Sequence, residues 1–472
     1  MNFFKKCRER GSLNLELALM IGLLVIAAVV SLIFLGGRIS NSFLAAGGSL
    51  PEISLLSLDG ESGDGAGGTG GGGESVIGAT GFGPGGHYTS NSAPEPVETD
   101  WTFTDNGDGT WTASQYNGTA TVISVPPQHN GGDVTKIYIT GFKAVIPTTI
   151  TGIYLPNTVT TIGNYAFREC SSLTSVNIPN TVTTIGNNAF VDCSSLPSIA
   201  IPDSVTSIGS GAFQSCSKIS TIEIPNGVTT INTYTFASCL TLTSVKIPDT
   251  VTTIQQNAFG FCKALSSITI PDGVTTIDEY CFSTCTALTS ITLPSSITSI
   301  GDCAFIASGL TTINLSPNLK TLGNYSFEDC TGLKEIIIPS GVTTIGERAF
   351  VGCSNLTSIN IPDTVTTINS YAFANCVSLA AITIPSSVKI IDKGVFVSCS
   401  KLKVVNIPSG VTTINSYAFE SCQSLTSVNI SSSVTSIGWG AFYDDTNLTV
   451  SRPAAKTDWT ASYLGCKAVT TY

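Results

Sequence analysis

Residues 339–361 read PSGVTTIGERAFVGCSNLTSINI, and residues 362–384 repeat the pattern as PDTVTTINSYAFANCVSLAAITI. The period is 23 residues, and it extends far beyond this pair. Upstream the proline slot holds Pro156, Pro179, Pro202, Pro225, Pro248, Pro271 and Pro294, and downstream it holds Pro385 and Pro408. One residue is missing around Ser308, after which Ser316 takes the slot, as Ser431 does further on. Thirteen units follow the consensus P-x-x-V-T-x-I-G-x-x-A-F-x-x-C-x-x-L-T-S-I-x-I. A unit this short cannot cover its own Phe, so neighbouring units must cover it by stacking. Phe167, Phe190 and Phe213 begin a column that runs to Phe419 and Phe442, and Leu173, Val176 and Ile178 begin a second wall. The expected fold class is a repeat solenoid of about 13 coils with parallel strands, one short strand per coil, roughly 60 Å long at about 4.8 Å per coil.

Composition agrees with stacked coils and excludes much else. The 472 residues are 42% hydrophobic and only 11% charged, which leaves a surface of Ser, Thr and Asn. A net charge of −11 argues against nucleic acid as a partner. The two histidines, His87 and His129, precede the repeats, so His-based triads and a zinc site are not expected in the body of the chain. Nothing in the repeats pairs a nucleophile with a base or forms a phosphate-binding loop, so neither enzymatic activity nor a cofactor or metal is expected. Asp105-Asn106-Gly107-Asp108-Gly109 has aspartate spacing similar to a calcium loop without the later Glu, and reads as the turn of a hairpin. Trp101, Trp111, Trp439 and Trp459 lie towards the two ends of the array, as expected of caps.

Eleven of the 15 cysteines, from Cys170 to Cys422, share one slot. In an exported protein many cysteines usually signal disulfides. Here parallel side chains point the same way, which disfavours the crossed geometry a disulfide needs. The expectation is a ladder of buried, reduced thiols acting as small apolar groups. Cys7, Cys281, Cys303 and Cys466 fall outside the slot.

A period in the twenties with L-x-x-I-x-I before the proline is that of a leucine-rich repeat. The V-T-x-I-G-x-x-A-F-x-x-C portion resembles the bacterial surface subclass known as BspA-like repeats, and the match recurs in nearly every unit. That resemblance implies a surface-displayed adhesion module whose partner is a host or neighbouring-cell surface protein or glycan.

The first residues carry a second pattern. Lys5, Lys6, Arg8 and Arg10 precede an uncharged apolar run, residues 17–35, long enough as a helix to cross a hydrocarbon core. Basic residues before the span place the bulk of the chain outside the cytoplasm. A plain membrane anchor is one reading. The order Arg10-Gly11-Ser12, with Glu16 at the head of the apolar run, resembles a type IV prepilin. This implies cleavage between Gly11 and Ser12 by a prepilin peptidase, with Glu16 as the carboxylate that pairs with a neighbouring pilin-like subunit. The segment from Leu35 to Phe43, LGGRISNSF, is similar to Flp-type pilins of tight-adherence systems, although Leu17 stands where those pilins usually have Tyr. The alternative is therefore a minor pilin or filament component that carries the solenoid as cargo.

Between residues 60 and 86, 14 of 27 residues are glycine, a composition that stays flexible. The expected organisation is a basic leader (1–11), a pilin-like transmembrane helix (12–45), a Gly-rich linker (46–98), a β-hairpin N-terminal cap (99–155), the solenoid (156–454) and a C-terminal cap (455–472).

The residue two before each tail proline lies between inward positions and is expected to face out, on the concave strand surface. That column runs Asn177, Ala200, Glu223, Lys246, Thr269, Thr292, Asn314, Ile337, Asn360, Thr383, Asn406 and Asn429. Glu223 and Lys246 are expected to pair across adjacent coils. Lys334, Glu335 and Ile337 interrupt the polar row close to the register break, and form the candidate binding face.

Overall fold

The computed structural model describes residues 93–138 and 148–472. Gly11, Ser12, Glu16 and the apolar run lie outside them. Among the described residues no helix is long and apolar enough to cross a membrane.

One coil shows how the sequence makes the turn. Strand Glu335–Ile337 runs along what we term the front. Pro339, lacking an N–H, ends the ladder there, and its carbonyl accepts the Val342 N–H at 3.1 Å to close a tight turn. Strand Thr344–Ile345 then runs along a second wall, the side. Each coil therefore carries two short strands, where one was expected. The side strand is only two residues long, too short to leave an alternating pattern in the sequence.

The third wall holds the phenylalanines and has no strand. Two residues before Phe350, Arg348 adopts φ 56°, and two after it Gly352 adopts φ 72°. These left-handed residues turn alternate N–H groups towards the next coil: Arg348 donates to Ser370, Phe350 to Ala372 and Gly352 to Ala374, at 2.8–3.1 Å. The same pair recurs around Phe282 as Tyr280 and Thr284, and around Phe419 as Tyr417 and Ser421. All three walls are thus hydrogen-bonded between coils, so few backbone groups are left unpaired inside.

Every pairing in the repeats is parallel, and most keep the 23-residue register, for instance Glu335 opposite Ser358 and Thr344 opposite Thr367. Across the short coil, by contrast, Ser290 stands opposite Thr312 and Ser299 opposite Thr321. The 13 phenylalanines are buried and stack with ring centroids 5.0–5.7 Å apart.

The array extends past the units marked by proline, to about 15 coils. At the N-terminal end, Trp101–Asp105 and Trp111–Tyr116 form an antiparallel hairpin. Val122–Ser124 already belongs to the front ladder, paired with Gly152–Tyr154. At the other end Asp445–Arg452 pairs in parallel with Cys466–Thr471. There a short helix, Ala461–Leu464, replaces the Phe turn, and Leu464 accepts the Phe442 N–H. Buried Trp101 and Trp459 cover the two ends. Trp439 does not: it is 50% exposed and lies edge-on to Tyr417 on the surface.

Candidate binding face

The front strand follows a strict alternation. In Ser290-Ile291-Thr292 the central Ile is buried and its neighbours face out, and the pattern repeats in Thr312–Asn314, Ala381–Thr383 and Val404–Asn406. The outward column anticipated from sequence is exposed from Ala200 to Asn429. Asn177 is the exception. Its amide donates to the Leu155 carbonyl and accepts the Leu155 N–H, so it is half-buried and serves the first coils structurally. Glu223 and Lys246 form an exposed ion pair across adjacent coils, worth little in water.

Lys334, Glu335 and Ile337 all lie on this face and all are exposed. Ile337, 71% exposed, is the most exposed large apolar side chain among the described residues, and Val404 follows at 64%.

The residue before each front strand adds a feature that the outward column does not contain. There a hydroxyl usually donates to the backbone of the preceding coil: Thr174 to Thr151, Thr243 to Ser220, Thr311 to Thr289 and Thr357 to Lys334. Apart from Pro197 near the start of the array, Lys334, Ala380 and Lys403 are the residues of this slot with no hydroxyl to donate. Loss of a repeated structural hydroxyl is a signal the sequence carried at those three positions.

Around the corner from the front, an open cleft of about 540 Å³ is lined by Ser295, Ser296, Thr298, Pro317, Asn318, Lys320, Ser340 and Gly341. It lies over the turn where Ser316 replaces proline.

The thiol ladder offers no chemistry to a ligand. Each Sγ from Cys193 to Cys422 that follows a Phe coil donates to the Phe carbonyl of the coil before, as Cys193 does to Phe167 and Cys422 to Phe396, at 3.1–3.2 Å. That carbonyl also accepts an N–H from its own coil, as Phe167 does from Cys170. Burial pushes the thiols up, to about 12 at Cys170 and well above the ordinary range at Cys216. These sulfurs form no disulfide, and burial keeps them protonated and so poor nucleophiles. Ser308 fills the ladder slot in the short coil, with its Oγ 3.3 Å from Cys330 Sγ.

Asp445, three residues after Phe442, fills the slot in the coil after that of Cys422. It is 1% exposed, and neither carboxyl oxygen has a hydrogen-bond partner. Burial pushes its carboxyl up to about 8, so at neutral pH it is largely the uncharged acid. Among the described residues no cluster of His, Cys, Asp or Glu is placed to hold a metal ion.

The repeats match the BspA type leucine rich repeat region over residues 135–266, 256–354 and 330–449. The chain belongs to this family. Solenoids of the BspA type are typically protein-interaction modules without enzymatic activity. Among solved structures, a leucine-rich repeat protein from Bacteroides ovatus ATCC 8483 is 25% identical over 80% of this chain and 99% of its own, with a TM-score of 0.61. A leucine rich cell surface protein from Faecalibacterium prausnitzii A2-165 is 26% identical over 81% and 96%, with a TM-score of 0.45. A leucine-rich repeat protein from Eubacterium ventriosum ATCC 27560 is 25% identical over 71% and 90%, with a TM-score of 0.48. A search of the curated proteins finds no match.

Proposed function

We propose that this BspA-type solenoid is a surface-displayed adhesion module that binds a protein or glycan of a host or neighbouring cell through its front face. The observation that carries this reading is the face itself. Its hydroxyl and amide side chains stand outward in register on successive coils, with almost no charge, and Lys334, Glu335 and Ile337 interrupt them. Such a surface binds through many short polar contacts and steers its partner weakly over distance. Residues 17–35 would hold the chain in the membrane and the Gly-rich linker would carry the solenoid clear of it. Cleavage between Gly11 and Ser12, with Glu16 pairing to a pilin-like subunit, would instead place it on a filament.

Alanine triplets along the front face of the full chain, read in a cell-attachment assay, test the binding reading. Loss confined to the 334–337 triplet supports it, and equal losses at every coil would mean a uniform polar strip. N-terminal sequencing of the membrane and filament fractions tests the anchor. A mature chain beginning at Ser12 supports the pilin-like route, and retention of Met1 to Arg10 leaves a plain anchor.

A further inference from the structure

We infer that the partner-binding part of the front face spans the four coils from Lys334 to Asn406, and that it fits an acidic protein segment bearing two apolar side chains. This rests on the reading of the front face as the binding face. Three observations single out these coils. Lys334, Ala380 and Lys403 give up the hydroxyl that elsewhere bonds to the preceding coil, so their side chains have no part in holding the solenoid together. Ile337 and Val404, the two most exposed large apolar side chains among the described residues, stand on the first and last of the four. Between them Ala380 and Ala381 leave the surface low, with no long side chain in the way.

Continuity along the face is set by backbone pairing. Glu335–Ile337 pairs with Ser358–Asn360, Ala381–Thr383 pairs with Val404–Asn406, and Lys403 donates its N–H to Ala380. Three coil steps separate the two lysines by roughly 14 Å, and the two-residue offset puts Ile337 and Val404 roughly 16 Å apart. An extended chain covers that distance in four or five residues.

The charge on this strip decides the partner's sign. Among the described residues, neither Lys334 nor Lys403 lies within ion-pairing distance of a carboxylate, unlike Lys246 with Glu223. Two unpaired cations against the single carboxylate Glu335 leave this strip of an acidic protein net positive, which favours carboxylates opposite it. The exposed Ile and Val favour a protein segment over a sulfated glycan, which would meet the lysines and leave the apolar groups in water.

The test uses the purified full chain and fluorescence anisotropy. The probes are a soluble Glu-rich peptide with two Leu spaced four residues apart, the same peptide with Ser for Leu, and a heparin oligosaccharide. The Glu/Leu peptide should bind, with affinity falling as salt rises. Ile337→Ser with Val404→Ser should weaken binding about tenfold at every salt concentration. Lys334→Gln with Lys403→Gln should weaken it about tenfold at low salt and flatten the salt dependence. Thr344→Ala with Thr367→Ala, exposed on the side strands and off this face, should leave it unchanged. No binding of the Glu/Leu peptide, equal binding of the Ser peptide, or heparin binding that depends on the lysines alone would overturn the inference. The cell-attachment assay separates the two levels. Attachment lost through Thr269 and Thr292 but not through these four residues would sink the inference and spare the front-face reading. Attachment indifferent to every front-face change would sink both.

Discussion

The Phe282 coil and the Phe442 coil use the same slots and differ in what fills one of them. Three residues after Phe282, Cys285 donates its S–H to the Phe259 carbonyl. Three residues after Phe442, Asp445 presents a carboxyl whose oxygens find no partner. In the first case the slot holds a neutral, weakly polar group that satisfies the backbone of the coil below. In the second it holds an acid that burial keeps protonated. The comparison teaches that burial in this slot favours an uncharged occupant. It also places the weakest polar arrangement of the core beside the last coil, where a stack has fewest neighbours.

The largest expected effect follows from that acid. The unfolded chain ionises Asp445 near its ordinary 3.8, while the folded chain holds the proton to about 8. Stability from this site is therefore full below pH 4, falls as pH rises from about 4 to about 8, and is level beyond. The swing is on the order of 5 kcal/mol. Hydrogen exchange of residues 446–472 measured across that range should show the slope. Asp445→Cys, under reducing conditions, should abolish it and make the two coils alike. A variant that retains the slope would show that Asp445 is not its source.

Truncating the Phe column probes the difference in neighbours. Phe282→Ala removes a ring stacked on both Phe259 and Phe305, and should cost about 3–5 kcal/mol in denaturant unfolding. Phe442 stacks on Phe419 alone, so Phe442→Ala should cost less. Equal losses would mean that the end coil is as tightly held as the middle.

The smallest effect concerns the left-handed positions. Thr284 holds φ 56°, which a β-branched residue tolerates poorly. Thr284→Asn should stabilise by about 1 kcal/mol, and Asn375→Thr at the equivalent slot should cost about as much. Thermal unfolding of both variants in parallel checks the sign.

Much of this was legible because proline and phenylalanine mark the coil twice in every period. Pro339 ends a strand and Phe350 fills the core, and neither role permits many substitutes. The side ladder was hidden because Thr344–Ile345 is too short for alternation to register. The left-handed pair was masked by Tyr and Arg, which do not advertise positive φ as Gly394 or Asn188 does. The end coil was read as a separate cap because its Phe is gone and little but Pro453 keeps the consensus, although Leu464 and Cys466 keep its hydrogen bonds in line. On the front face, Lys334, Glu335 and Ile337 were visible as departures from a polar column. Lys403 and Val404 occupy the slots of Lys334 and Glu335, and were missed because Asn406 keeps the outward column polar there and no register break stands beside them.

The three hydrogen-bonded walls have a mechanical consequence. Bonds between coils run along the solenoid axis, so tension applied at the two ends loads the bonds of one interface at a time. A coil that peels away frees 23 residues and lengthens the chain by roughly 75–80 Å while its neighbours stay shut. Such a molecule yields under load in a series of equal steps, beginning at the coil beside Asp445, and absorbs work at each one.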